Sequence, residues 1–146
     1  MVRNIKKKIK PQCGLMLENA EGKILLQLRD NKASIPYPNC WGTFGGQIED
    51  GETPREAMLR EIKEELKYDA EGAELYFVYQ FDGYAIYMFM KVDASISLDG
   101  LSVREGQRAD FFSQKDVKEA SFAFNCREIV EDYFRRRGAE KIYQGS

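Results

Sequence analysis

Apolar residues are concentrated in several short runs of the chain, and runs of this length between turn residues predict β-strands. Gln12 to Leu17 and Lys23 to Leu28 are two such runs, with the polar stretch Glu18 to Gly22 between them as a turn. Glu74 to Phe81 and Tyr84 to Val92 are longer and rich in aromatic and branched side chains. The Asp-Gly dipeptide between these two runs is typical of a β-hairpin.

Two other segments have apolar residues at helical spacing. Thr53 as N-cap, Pro54 at the first helical position and Glu56 in a capping box mark the start of the first helix. Its apolar stripe at i, i+3 and i+7 consists of Leu59, Ile62 and Leu66. Asn125 to Arg137 predicts a terminal helix, whose apolar positions are Ile129, Val130, Tyr133 and Phe134.

Strands outnumber helices in this interpretation, and Gln107 to Phe112 adds a further short strand. This order favours a mixed β-sheet covered by helices, which is the α/β class. A length of 146 residues with 43% hydrophobic content predicts a single domain over residues 1–146, with a core that needs no covalent staples.

Composition excludes several kinds of active site. The chain has no histidine, which removes Ser-His-Asp and Cys-His nucleophiles, HExxH zinc sites and a histidine general base. Its three cysteines are far apart and include no CxxC pair, so they predict neither a disulfide framework nor a thiolate zinc site. Chemistry has to use carboxylates, Lys, Arg, Tyr or Cys.

Charge and hydropathy predict a soluble, cytoplasmic protein. There is no run of about 18 apolar residues, and the N-terminus lacks the apolar segment of a secretory signal. The net charge of -2 provides no overall field for nucleic acid. Basic clusters near the ends, formed by Lys6 to Lys8 with Lys10 and by Arg135 to Arg137, predict solvated surface. We therefore expect neither a nucleic acid polymer nor a membrane as a partner.

The segment Gly45 to Leu66, GGQIEDGETPREAMLREIKEEL, contains many glutamates. Glu61, Glu64 and Glu65 fall within about 100° of the helix circumference and repel at about 0.2–0.5 kcal/mol per pair. A solvated helix with intrahelical pairs is one interpretation. The other is a hard divalent cation, since Mg²⁺ binds a few carboxylates beside a backbone carbonyl, which the preceding Gly-rich turn would supply.

The same segment resembles the Nudix box, the motif of hydrolases that act on nucleoside diphosphates linked to another moiety. The pattern G-x5-E-x7-R-E-U-x-E-E, with U aliphatic, is met by Gly46, Glu52, Arg60, Glu61, Ile62, Glu64 and Glu65. Lys67 stands where the family usually has a helix-ending glycine, which affects helix termination and removes no metal ligand. The resemblance implies a Nudix-type α/β/α sandwich with a central mixed β-sheet and a MutT-like nucleotide pyrophosphohydrolase.

The resemblance also implies a cofactor and roles for individual residues. The cofactor is Mg²⁺, or Mn²⁺, and its implied ligands are Gly45, Glu61, Glu64, Glu65 and Glu105. The implied catalytic residues are Arg60, Glu61, Glu64 and Glu105. Glu61 or Glu64 takes the proton of the attacking water, with Glu105 as a further candidate from a later loop. Gly46 and Glu52, together with Arg60, support the loop against the helix.

Two further positions match residues that contact the nucleotide in this family, namely Arg29 and Asn125. Asn125 is equally an N-cap for the last helix, and Arg29 equally a partner of Asp30 or another surface acid. Thr43 replaces an aromatic that often precedes the glycines in the oxidised-purine branch. This departure weakens an assignment to oxidised guanine.

Three functions remain open from the sequence. The favoured one is Mg²⁺-dependent hydrolysis of a nucleoside triphosphate, an oxidised one included. The alternative is hydrolysis of a nucleotide sugar or ADP-ribose in a larger or dimer-built pocket, lined by the loop Asp30 to Cys40. A nucleotide-sensing module without catalysis is disfavoured, because such a module is expected to have lost glutamates that this chain keeps. A homodimer and the number of metal ions stay open.

Overall fold

The computed structural model describes residues 9–144, so Lys6 to Lys8, predicted to be solvated, lie outside the described residues. The strands are β1 (Gln12–Glu18), β2 (Ile24–Leu28), β3 (Trp41–Gly42), β4 (Phe44–Gln47), β5 (Glu74–Phe81), β6 (Tyr84–Val92) and β7 (Arg108–Phe112). The helices are α1 (Pro54–Leu66), α2 (Gln114–Glu119) and α3 (Cys126–Gln144), with a 3-10 turn at Leu98–Gly100.

The described strands form one mixed sheet. Its order is β3-β2-β1-β6-β5, while β4 pairs with β1 and β7 pairs with β2. The pairing of β1 with β6 is parallel, and the other pairings are antiparallel. The mixed sheet predicted from the order of strands and helices is confirmed.

Alternation along β1 divides the apolar side chains between two cores. Cys13, Leu15 and Leu17 pack under α1, whereas Met16 packs in the second core with residues of α3. Successive side chains of a strand point to opposite faces, so one strand serves both layers. The α/β/α arrangement implied by the Nudix resemblance is therefore confirmed.

Several short elements escape the sequence patterns. β3 has only two residues, and β4 contains two glycines, which have low strand propensity; β4 forms because its backbone pairs with β1. α2 has six residues, too few to show a helical period, although its capping box of Ser113 and Asp116 is visible in the sequence. α3 continues to Gln144, beyond the predicted end at Arg137.

Glu18 and Arg137 differ from their predicted surroundings. The sequence pattern places Glu18 in a turn, yet it ends β1 and is only 5% exposed. Its carboxylate accepts hydrogen bonds from the Tyr133 hydroxyl at 2.8 Å and from Arg137 Nε at 3.1 Å. Arg137, predicted to be solvated, is thus drawn towards the sheet by a buried carboxylate, because a buried charge requires a partner.

Within residues 9–144, none of the helices is both long enough and apolar enough to cross a bilayer.

Candidate active site

The start of α1 is built as the sequence predicts. The Thr53 hydroxyl accepts a hydrogen bond from the Glu56 amide at 3.1 Å, and the Glu56 carboxylate accepts one from the Thr53 amide at 3.2 Å. Ile62 and Leu66 are fully buried against the sheet, while Leu59 is partly buried at the same core. This packing fixes which side of α1 is presented to β4.

Two glycines of β4 allow close contacts with β1 and with α1. Gly45 has φ +148°, and a Cβ there would collide with the carbonyl oxygen of Cys13 on β1. A Cβ on Gly46 would lie 2.6–2.8 Å from the carboxylate atoms of Glu61. A side chain at Gly45 would therefore collide with the backbone of β1, and a side chain at Gly46 would displace the carboxylate of Glu61.

Glu65 is the most unusual side chain of the helix, because it is a carboxylate with 0% exposure. Its Oε1 accepts a hydrogen bond from the Gly45 amide at 3.2 Å, while its Oε2 has no partner within the described residues. Burial, followed by the negative charges of Glu105 and Glu61, raises the pKa of Glu65 to about 9. Ionised Glu65 would therefore need a positive charge nearby.

Arg60 connects the loop before α1 to the acidic side of the helix. It donates from Nε and Nη2 to both oxygens of Glu52 at 2.7 and 2.9 Å, and from Nη2 to the Gln47 carbonyl at 3.2 Å. The bonds from Arg60 lower the pKa of Glu52 to about 2. Arg60 Nη1 also donates to Glu61 Oε1 at 2.9 Å and lies 3.7 Å from Glu64.

Glu105 is placed beside this cluster by the backbone of its loop. The Arg104 amide donates to the Glu65 carbonyl at 2.8 Å, and the Ser102 amide donates to the Leu66 carbonyl at 3.1 Å. The loop thus satisfies free carbonyls at the C-terminal end of α1. After burial, the negative charge of Glu105 raises the pKa of Glu65.

The predicted acidic residues do not all converge equally. The charges of Glu105 and Glu61 act on Glu65, which contacts Gly45, whereas the side chain of Glu64 is 59% exposed and lies 3.7 Å from Arg60. Among the side chains that the structure describes, no three acidic, cysteine or histidine residues are already arranged to hold a metal ion. One oxygen of Glu61 is held by Arg60, and Oε1 of Glu65 by Gly45.

A cavity of about 420 Å³ opens on the other side of Gly45 and Gly46. Arg29 and Asn125, the predicted nucleotide contacts, both line it. The Asn125 carbonyl accepts a hydrogen bond from the amide of Ile129 in the first turn of α3, at 3.3 Å, while its side-chain Nδ2 donates to the Tyr84 hydroxyl at 2.9 Å. Asn125 therefore begins the helix and also faces the cavity.

Arg29 is held by the loop that follows it rather than by an acid. Its Nε and Nη2 donate to the Pro36 carbonyl at 3.2 and 2.9 Å, and its guanidinium lies 5.3 Å from the Phe124 ring centroid. The Phe124 ring in turn lies 4.7 Å from the ring of Tyr37. The loop Asp30 to Cys40 thereby positions a cationic group at the cavity wall.

Two cysteine thiols also line this cavity, and both stay protonated at neutral pH. Burial raises the pKa of Cys13 to about 11 and raises the pKa of Cys126 in the same way. A thiol is a good nucleophile only as the thiolate. These two cysteines therefore contribute packing and shape to the cavity wall.

The NUDIX domain family matches residues 8–133, which is most of the chain and includes the whole site. This chain belongs to the Nudix hydrolase family. The family and the enzyme class implied by the motif are confirmed.

Similar proteins carry several names within this family. An ADP-ribose pyrophosphatase of Methanocaldococcus jannaschii is 32% identical over 120 residues, which is 79% of this chain and 68% of that protein. An 8-oxo-dGTP diphosphatase of Haemophilus influenzae is 37% identical over 80 residues, 52% of this chain and 54% of that protein. The match thus spans only about half of the Haemophilus protein.

A solved structure shows the same Nudix fold over nearly its full length. The mutT/nudix family protein from Listeria innocua superposes with a TM-score of 0.77 at 16% identity, covering 94% of this chain and 99% of that chain. At this identity the likeness concerns the fold.

Sequence reasoning missed several residues of the Nudix site. The sequence pattern identifies Tyr84 only as part of a hairpin and does not single out Phe124, yet both line the first cavity. Arg104 stands out in the sequence only as a neighbour of Glu105. A pair of adjacent opposite charges before a glycine, Arg104-Glu105-Gly106, was the available signal for a structured loop.

Proposed function

We propose that this Nudix protein hydrolyses the pyrophosphate linkage of a nucleotide with the help of a divalent cation. The observation that carries the proposal is the fully buried Glu65, whose Oε2 has no partner within the described residues. A buried carboxylate without a positive partner costs several kcal/mol when ionised. A cation at this place would compensate that cost.

The residues around Glu65 fit Mg²⁺ or Mn²⁺ because they offer only oxygen ligands. Glu65 Oε2, Glu61, Glu105 and the Gly45 carbonyl would hold the ion, and Glu64 would join it by turning from Arg60. Arg60 takes only Oε1 of Glu61, which leaves Oε2 for this role. When bound, such an ion supplies charge to the phosphate oxygens and acidifies the attacking water.

The chain's own groups supply the rest of the reaction. Glu61, Glu64 or Glu105 accepts the proton of the water that attacks phosphorus, as the sequence already suggests. Arg60, anchored by Glu52 and the Gln47 carbonyl, holds Glu61 in place. Arg29 faces the phosphates, and Asn125 with the apolar wall of the first cavity binds the base. No covalent intermediate is required.

Two substrate classes contain the linkage that this site would cleave. The sequence favours a nucleoside triphosphate, and a relative named 8-oxo-dGTP diphosphatase supports that assignment over half of the chain. A relative named ADP-ribose pyrophosphatase, matched over 79% of the chain, supports a nucleotide-linked sugar instead. In both cases the partner is a small nucleotide rather than a nucleic acid polymer.

The test is hydrolysis of a panel of nucleotides and nucleotide sugars, followed as phosphate released after a phosphatase step, with and without Mg²⁺ or Mn²⁺. Glu65→Gln, which removes charge but little volume, should lower kcat more than tenfold, a barrier increase above about 1.4 kcal/mol. Glu119→Gln, an exposed glutamate of α2, is the matched control and should leave kcat unchanged. Full activity of Glu65→Gln would refute the proposed role of Glu65.

A further inference from the structure

A second cavity, of about 500 Å³, opens beside the acidic residues of α1. Its walls come from the end of β2, from the loop after it and from the loop before β7. Gln27 and Arg29 line both this cavity and the first one, so the two cavities meet at these side chains. The first cavity borders the acidic cluster through Gly45 and Gly46, and the second borders it through Glu105.

Two hydrogen-bond acceptors of the second cavity are available to a ligand. The carboxylate of Asp30 has no hydrogen bond or ion pair within residues 9–138. Gln27 Nε2 donates to the Thr43 carbonyl at 3.3 Å, which leaves Oε1 as an acceptor. This Oε1 lies 3.5 Å from the place that a Cβ on Gly106 would take.

Two arginines line the second cavity, and one of them, Arg29, also lines the first. Arg104 is anchored through its amide to Glu65, and its guanidinium has no partner in the described part of the chain. Arg29 is held at the shared wall by the Pro36 carbonyl. Guanidinium groups bind phosphate oxygens well, so a diphosphate fits between the cavities.

We propose that the second cavity binds a hydroxyl-bearing group, such as a sugar, and that nucleoside diphosphate-linked sugars are preferred over nucleoside triphosphates. Asp30 is an acceptor-only group, and sugar hydroxyls supply the donors that it and Gln27 Oε1 need. A fully ionised terminal phosphate has no donor and would be repelled by Asp30. Ile35 offers an apolar contact for the ring of the sugar. This inference rests on the proposed function for the position of the scissile linkage.

The test compares ligands that share a base and differ in the second group. Calorimetry in EDTA, where turnover is absent, would measure the Kd of ADP-ribose against ATP, GDP-mannose against GTP and UDP-glucose against UTP. For at least one pair, the sugar compound should bind tenfold or more tightly than the triphosphate. Asp30→Ala should weaken sugar binding about tenfold and leave triphosphate binding unchanged or tighter.

Two further variants separate the causes. Asp30→Asn keeps one hydrogen-bond acceptor but removes the charge, so it should lose less affinity for the sugar compounds than Asp30→Ala does. Its gain in affinity for triphosphates should equal that of Asp30→Ala, because both variants remove the repelling charge. Glu119→Ala, on α2 and outside both cavities, controls for a change of net charge. The inference is overturned if Asp30→Ala weakens both classes alike or neither, if triphosphates bind more tightly, or if none of the six ligands binds.

Hydrolysis by the wild-type protein in Mg²⁺ is measured in parallel. The expected binding pattern without any hydrolysis would refute the proposed function and support the second cavity as a sugar site. Hydrolysis combined with tighter binding of triphosphates would support the proposed function and refute the second cavity as a sugar site. The two proposals therefore fail in different ways.

Discussion

At the scale of single residues, the position of Glu65 on α1 decides whether its carboxyl group is charged. Its neighbour Glu64 has the same side chain but is 59% exposed, because successive residues of a helix are about 100° apart. Glu65 faces the sheet and meets Gly45, while burial and nearby acids raise its pKa to about 9. At neutral pH the metal-free protein therefore holds Glu65 in its neutral form.

The stability of the metal-free protein should fall as the pH rises between about 4.5 and about 9. The folded pKa of Glu65 lies above the unfolded value of 4.5, so its contribution is fully present below 4.5 and lost towards 9. Within this window, an increase of one pH unit should lower the free energy of unfolding by at most about 1.4 kcal/mol. Urea denaturation in EDTA at a series of pH values would measure this dependence.

Glu65→Gln should show a flatter pH profile and, near pH 8, a higher free energy of unfolding than the wild type. The amide has no charge to bury, so the linkage disappears with the carboxyl group. Excess Mg²⁺ should also flatten the wild-type profile, because a cation would stabilise the ionised form. Equal slopes for the variant and the wild type in EDTA would show that Glu65 does not cause the dependence.

At the scale of elements, both the end of α1 and the loop that packs on it depart from the commonest solutions. Lys67 ends the helix with φ 55° and ψ 31°, and its amide donates to the Lys63 carbonyl at 3.0 Å. The left-handed conformation that the family's glycine usually adopts is therefore kept by a lysine. A residue with a Cβ is strained in this conformation.

Lys67→Gly should raise the free energy of unfolding by about 0.5–1 kcal/mol, because relief of strain exceeds the added entropy of the unfolded chain. The matched control is Lys63→Gly in the same helix, where glycine should instead destabilise by about 1 kcal/mol. Chemical denaturation of the three proteins would measure both changes. Destabilisation by both variants would mean that the C-terminal end of α1 is not strained.

Glu105→Gln tests the loop before β7. Gly106, at φ +78°, lets this loop lie against β2, where a Cβ would come within 2.5 Å of the Leu28 carbonyl oxygen. If Glu105 acts as base or ligand, the variant should lower kcat by about 10²- to 10⁴-fold with little change in KM. Steady-state kinetics at saturating Mg²⁺, with Glu119→Gln as the control, would decide. An unchanged kcat would exclude Glu105 from the reaction.

At the scale of the whole molecule, a buried ion pair joins the sheet to its second helical layer. Glu18 at the end of β1 binds Tyr133 and Arg137 of α3, and both charged side chains are largely hidden, with 6% and 21% exposure. This pair lies outside both cavities. Its role is therefore to hold α3, whose start carries Asn125 at the first cavity.

Arg137→Met should destabilise the protein by about 3–5 kcal/mol, because it removes one member of a buried ion pair. Arg135→Met, in which the exposed arginine of the same helix is replaced, should change stability by less than about 0.5 kcal/mol. Thermal unfolding would measure the difference, and kcat per folded molecule should be unchanged in both. If the two variants have equal stability, the Glu18 pair contributes little.

Local sequence patterns determined the bounds of several strands and helices independently of the tertiary structure. The hairpin of β5 and β6 was predicted with its observed bounds, and so was the start of α1, because turn and cap chemistry acts between residues close in sequence. The Nudix spacing placed Gly46, Arg60 and Glu61 within one short segment, so their proximity also followed from the chain itself.

Only the tertiary structure decided contacts between distant segments. The hydrogen bond from the Arg104 amide to the Glu65 carbonyl brings Glu105 to α1, and no local pattern encodes it. The burial of Glu18 depends on where α3 packs, and the second cavity depends on how the end of β2, the loop after it and the loop before β7 come together. Sequence period reports which side of an element is buried. The period does not predict which charged side chain from a distant segment will contact that buried side.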